Sequence, residues 1–173
     1  MEDSEHGVAR EVALLDLDAV TMELLGAAVT AVADEAVDSI IREVPGYTGA
    51  LSGRMGQIIR GAVQLALGNF LKVARSADGS DPSTPIAQST AAAYDLGRGE
   101  ARSGRSMNAL LAAYRIGARV CWRGLSDVAV AADVSAATLG RFAELVFAYI
   151  DELSAASVAG HGDELATTGR ARE

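Results

Sequence analysis

Aromatic residues make up only 5 % of this chain, and proline occurs 3 times. A β-sandwich of 173 residues would carry more aromatic and β-branched side chains in alternation, which argues against a sheet-based core. There is one cysteine, Cys121, and there are 2 histidines, His6 and His161. A single thiol cannot close an internal disulfide, and so few donors, so far apart, do not form a zinc or haem site; no metal and no cofactor is expected. Positive charge is in deficit as well: Lys+Arg is 15 against Asp+Glu 23, a formal net charge of -8. Nucleic-acid affinity comes mostly from neutralised phosphates, so no direct nucleic-acid binding by this chain is expected. No run of about 18 apolar residues is free of charge, so no membrane span is expected. The N-terminal MEDSEHGVAREVALL lacks the basic-then-apolar order of a signal peptide. Together with the lone thiol, this points to the cytoplasm.

What is plentiful is alanine, about a fifth of the residues, within a hydrophobic fraction of 50 %. Alanine is the best helix former, and its small side chain lets helices approach closely. The composition is too apolar for a solvated coil. The expected fold is therefore all-α, a single-domain bundle of about five helices, a globin-like packing being one form of it. Residues 1–15 read as a flexible N-terminal arm, 16–165 as the helical domain, and 166–173 as a frayed tail or the start of a linker.

Hydrophobic periodicity places the helices. In the first, capped by Asp18 and stopped by Pro45-Gly46, Val20, Leu24, Ala27 and Ala31 make one stripe. Leu25, Val29, Val32, Ala36, Ile40 and Val44 make its neighbour. The second helix follows a cap at Ser52, with Met55, Ile58, Ile59, Ala62, Ala66, Phe70 and Val73 in step. A turn-rich loop over 76–85 precedes a third helix, for which Thr84 and Pro85 read as cap and first position. Ser106 caps a fourth, with Met107, Leu110, Tyr114, Cys121, Trp122 and Leu125 on one stripe. Ser135 opens a fifth. There Leu139, Phe142, Val146, Tyr149 and Leu153 repeat in alternating steps of three and four, the pattern of a coiled-coil seam, and they are the candidate homodimer contact. Beyond them, Ser154 to Ser157 and Ala159-Gly160 are small enough for close backbone contact.

Few motifs carry chemistry. Gly99 to Ser106 nearly matches the phosphate-binding loop, but Arg105 replaces its lysine and a helix, not a strand, precedes it. A helix–helix corner, with Gly104 ending one helix and Ser106 capping the next, explains the same residues. No nucleophile elbow or zinc-protease motif occurs. Charge is segregated instead. Arg98, Arg102, Arg105, Arg115, Arg119 and Arg123 share a window whose only acid is Glu100, whereas the first helix is acidic. Ion pairing between neighbouring helices or across a dimer is the expected reading; guanidinium forks holding a small anionic ligand are the sharper alternative.

Residues 94–122, YDLGRGEARSGRSMNALLAAYRIGARVCW, with the entry IREVPGY at 41–47 and the exit FAYIDELS at 147–154, resemble a regulatory domain. It is the helical N-terminal module of actinobacterial PucR-type (CdaR-like) transcriptional regulators, similar to the RsbRD N-terminal domain of RsbT co-antagonists. The resemblance covers residues 16–165 and implies no catalytic residues. It implies that Tyr94, Leu110, Leu111, Tyr114 and Trp122 form core or pocket wall. Gly97, Gly104 and Gly117 would permit tight corners and close crossings, and Glu100 would join Arg115 and Asp151 in a partly buried network. With Tyr94, Arg98, Arg105, Tyr114, Arg119 and Trp122, these polar residues are the candidate ligand or network positions. The expected function is a non-enzymatic sensory and dimerisation module, acting through its last helix on a DNA-binding domain absent from this chain. The alternative is a stressosome-type scaffold that binds a regulatory protein and no small molecule. A haem-binding sensor is disfavoured by the positions of the histidines.

Overall fold

Local chemistry at the helix ends sets the boundaries in the computed structural model, which describes residues 15–49, 53–75 and 83–170, with Gly7, Arg10 and Glu11. Helix α1 (Ala19–Glu43) starts where the Asp18 carboxylate accepts from the Thr21 amide at 2.7 Å. That bond also holds the Asp18 carboxyl below its ordinary value. A short 3-10 turn (Pro45–Tyr47) follows, then α2 (Arg54–Arg75) and α3 (Ser83–Arg102). The expected cap Ser52 and most of the 76–85 loop lie outside the described residues, as does most of the expected arm. Helix α3 begins before Pro85, which sits in its first turn, where a missing N–H is tolerated.

The Gly104 corner is as the sequence predicts. Gly104 has φ +74°, and the Gly104 and Arg105 amides donate to the carbonyls of Ala101 and Glu100, closing a Schellman turn. Ser106 then caps α4 (Met107–Ala131) through the Ala109 amide. Asp133, at φ 57°, closes α4 by the same turn. Helix α5 (Ala136–Arg170) is one continuous 35-residue helix. The stretch expected to fray from 166 is helical as far as Arg170, and Asp163 and Glu164 just ahead of it are tied to α3. Among the described residues there is no strand, and no helix is long and apolar enough to cross a membrane. The all-α, single-domain fold is the one expected.

Three further expectations change. The α1 stripe of Val20, Leu24, Ala27 and Ala31 faces outward, with Val20 68 % and Leu24 47 % exposed. The buried arc of α1 instead turns through Thr21 and Ser39, whose hydroxyls bond to the carboxylates of Asp18 and Glu35. On α5, the expected dimer seam points into its own chain. Phe142, Val146, Tyr149 and Leu153 are buried in the core, and Leu139 packs against it. The five helices of the described residues have enough facing surface to use that stripe internally, so it is not left for a second copy. Finally, the close crossing of α4 on α1 falls at Gly124, where a Cβ would lie 2.6 Å from Val32 Cγ2. Gly117 meets Ile40 at an ordinary distance.

The tightest contact joins α3 to α5. A Cβ at Gly97 would strike the backbone carbonyl of Ser157, and one at Gly160 the carbonyl of Tyr94. Only glycine permits backbones this close. Ser157 seals the crossing by donating to the Ala93 carbonyl at 2.6 Å. Helix α2 sits differently. It packs chiefly against α1 and α3, and reaches α5 through rings: Phe70 lies 6.0 Å from Phe142 and 5.5 Å from Tyr149, centroid to centroid.

Candidate functional site

Between α2 and the wall formed by α3, α4 and α5 lies a cavity of about 130 Å³. Its surface is mostly aliphatic. Helix α2 contributes Ala62, Ala66 and Phe70, α3 Ala93 and Leu96, α4 Leu110, Ala113 and Cys121, and α5 Val146, Tyr149 and Leu153. The space exists because alanines face one another where larger side chains would close it. The Tyr149 hydroxyl spans it, donating to the Ala66 carbonyl at 2.9 Å.

One end of the cavity is polar. The Glu100 carboxylate, 1 % exposed, accepts from the Tyr47 hydroxyl at 2.6 Å and from Arg105 Nε at 2.6 Å and Nη2 at 3.1 Å. The Arg105 guanidinium, its side chain 11 % exposed, also stands 5.2 Å from the Tyr47 ring centroid. A carboxylate loses its hydration when buried and is tolerable only with such partners. Burial and the Glu100 carboxylate push the Tyr47 phenol well above its ordinary range, so it remains a neutral donor. Burial raises the phenols of Tyr114 and Tyr149 as well, and pushes the Cys121 thiol up to about 12. The thiol therefore presents no thiolate at neutral pH.

The sequence-predicted site residues divide in two. Glu100 and Tyr114 line the cavity, and Arg105 stands behind Glu100. The Tyr114 hydroxyl shares a 2.6 Å bond with Ser157, which ties the cavity to the α3–α5 crossing. The others lie elsewhere. Tyr94 donates to Asp163, while Arg98 and Arg102 grip Glu164 from one side of α3. Arg119 pairs with Glu43 on α1, and Arg123 stands 4.0 Å from Glu35. Trp122 packs edge-on to Phe142. The expected Glu100–Arg115–Asp151 network does not form, since Arg115 and Asp151 are exposed on other faces. Glu100 sits in the last turn of α3, and the Schellman corner folds Arg105 back onto it.

Several groups were not legible as site residues. Tyr47 entered the reading only through the resemblance, Ser157 only as a small residue, and Glu164 was not singled out. His161 reads as a surface residue but is 3 % exposed, with Nε2 2.8 Å from the Arg105 carbonyl. Its Nδ1 has no hydrogen-bond partner among the described residues. The one signal for it is phase: His161 continues the Leu153, Ala156, Ser157, Gly160 line on α5.

Among the described residues no three His, Cys, Asp or Glu side chains gather as a metal site. The Glu100 carboxylate is engaged by its partners, and the cavity holds no nucleophile paired with a base. The result is a helical bundle with an apolar centre and a locked polar end. The family described as the RsbT co-antagonist protein rsbRD N-terminal domain matches residues 30–173, and the chain belongs to that family. No curated protein and no solved structure matches the chain.

Proposed function

We propose that this chain is the non-enzymatic sensory module of a bacterial transcriptional regulator of the PucR type, signalling through its last helix to a DNA-binding domain outside these residues. The observation that carries the reading is the double use of α5. Val146, Tyr149, Ile150 and Leu153 wall the cavity, and the same unbroken helix runs on to Arg170 against α3. An event in the cavity that favours one packing of α5 shifts the population of its far end.

A second reading, a stressosome-type scaffold with no small-molecule ligand, is favoured by the outward apolar stripe of α1. Screening metabolites by thermal shift, with amide hydrogen exchange across 153–170, separates the two. A saturable shift that alters exchange in that segment supports the sensor. A regulatory protein that binds without any metabolite shift, and is lost in the Val20→Asp, Leu24→Asp double variant, supports the scaffold and overturns the sensor.

A further inference from the structure

We infer that the cavity is a binding site for a small, uncharged, apolar molecule of about the size of one aromatic ring. This rests on the sensory reading of α5 and names the class of signal that α5 would report. Size comes first. The cavity is about 130 Å³, and an apolar cavity of ~150 Å³ stays dry and accepts benzene.

Polarity comes second. The polar groups at the wall are already committed to partners within the chain. Glu100 is held by Tyr47 and Arg105, Tyr114 by Ser157, and Tyr149 by the Ala66 carbonyl. Ser89 accepts from Asn69 and donates to the Pro85 carbonyl. An ion entering this space would lose its hydration and meet no free counter-charge. The anionic ligand expected from the arginines finds no support here either. Arg98, Arg102, Arg105, Arg119 and Arg123 all lie beside carboxylates of the chain, and Arg115 is exposed.

Access is the third point. Ala62, Ala66, Ala92 and Leu96 line the cavity and are only half-buried, so the α2–α3 side of the wall is thin. Small side chains there leave an entry that needs no helix to unfold. Because burial keeps the Cys121 thiol protonated, the ligand is held by contact and not by a covalent bond.

The test uses the full 173-residue chain with toluene and indole as probes, and benzoate as a charged molecule of similar size. Methyl NMR follows binding, thermal melting follows stabilisation, and hydrogen exchange follows residues 153–170. Saturable toluene or indole binding, with a melting rise of a few degrees that benzoate does not give, is the expected result. Ala113→Leu on α4 and Ala62→Leu on α2 fill the space from opposite walls. Either variant that melts cooperatively should lose at least ten-fold in probe affinity. No saturable binding up to the solubility limit overturns the site, as does equal binding by benzoate or undiminished binding in the filled variants. Binding at the site without any change in exchange over 153–170 upholds the site and sinks the sensory reading instead.

Discussion

The α3–α5 crossing and the α2 flank are built from the same small residues and reach opposite results. At the crossing, Gly97, Gly160, Ala93 and Ser157 bring two backbones into direct contact. Across the cavity, Ala62, Ala66, Ala113 and their neighbours leave about 130 Å³ unfilled. The difference lies in what else spans each interface. Nothing larger than Ser157 separates α3 from α5 at the crossing, so small residues there mean contact. On the other flank, Phe70, Phe142 and Tyr149 act as spacers, and the alanines beside them cannot reach across. Alanine content by itself specifies neither outcome.

Glu100 sits where the two regions meet, on the helix they share, and its loss should have the largest effect. Glu100→Ala leaves the Arg105 guanidinium and the Tyr47 hydroxyl without their acceptor in a largely dry site. Removing one partner of a buried pair costs about 3–4 kcal/mol. Urea denaturation followed by circular dichroism should show that loss as a lower midpoint. Glu100→Gln keeps the shape and should retain part of it. If Glu100→Ala unfolds at the wild-type midpoint, the polar end does not hold the α3 corner against the 3-10 turn.

How much of this was readable beforehand follows the same divide. The helices were legible because their signals are local: Asp18, Ser106 and the Gly104 corner act within a few residues. The α5 stripe was legible as an apolar face, but not as a face turned inward, since a step of three and four looks the same in either direction. The polar site was half legible. Glu100 and Arg105 stand five apart in sequence, whereas Tyr47 joins them from 53 residues away, a distance over which spacing carries no signal. Glu164 was hidden for a different reason. Its surroundings are polar, and only the three-dimensional crossing brings Arg98 and Arg102 over it. The cavity had no signature at all, because a void is a property of facing surfaces.

The crossing itself can be broken by one methyl group. In Gly160→Ala the new Cβ meets the Tyr94 carbonyl, and backbone cannot swing aside as a side chain can. Overpacking of this kind costs about 2–3 kcal/mol, and Gly97→Ala should behave alike. Hydrogen exchange should rise first in α5 beyond Leu153. The same size increase on the loose side should do little: Ala113→Leu fills empty space, so its midpoint should move by less than about 1 kcal/mol. Equal losses at Gly160 and Ala113 would mean that both interfaces are close-packed, and the contrast would fail.

The smallest effect distinguishes the crossing from its outer clamp. Hydrogen bonds from Arg102 and Arg98 hold the Glu164 carboxyl below its ordinary value of 4.5. A carboxyl lowered in the folded state adds stability above its unfolded value, and that contribution is lost as pH falls through the folded one. Wild type should therefore melt slightly above Glu164→Gln at pH 7, with the gap closing below about pH 4. Asp18 is lowered too, through the Thr21 amide, but it is present in both proteins and drops out of the difference. Salt should narrow the gap at pH 7, since the arginines are partly exposed, with side chains 39 % and 55 % accessible. A gap that does not narrow at all as pH falls below the ordinary carboxyl range would mean Glu164 acts through packing, placing the last turns of α5 under the same backbone contact that governs Gly160.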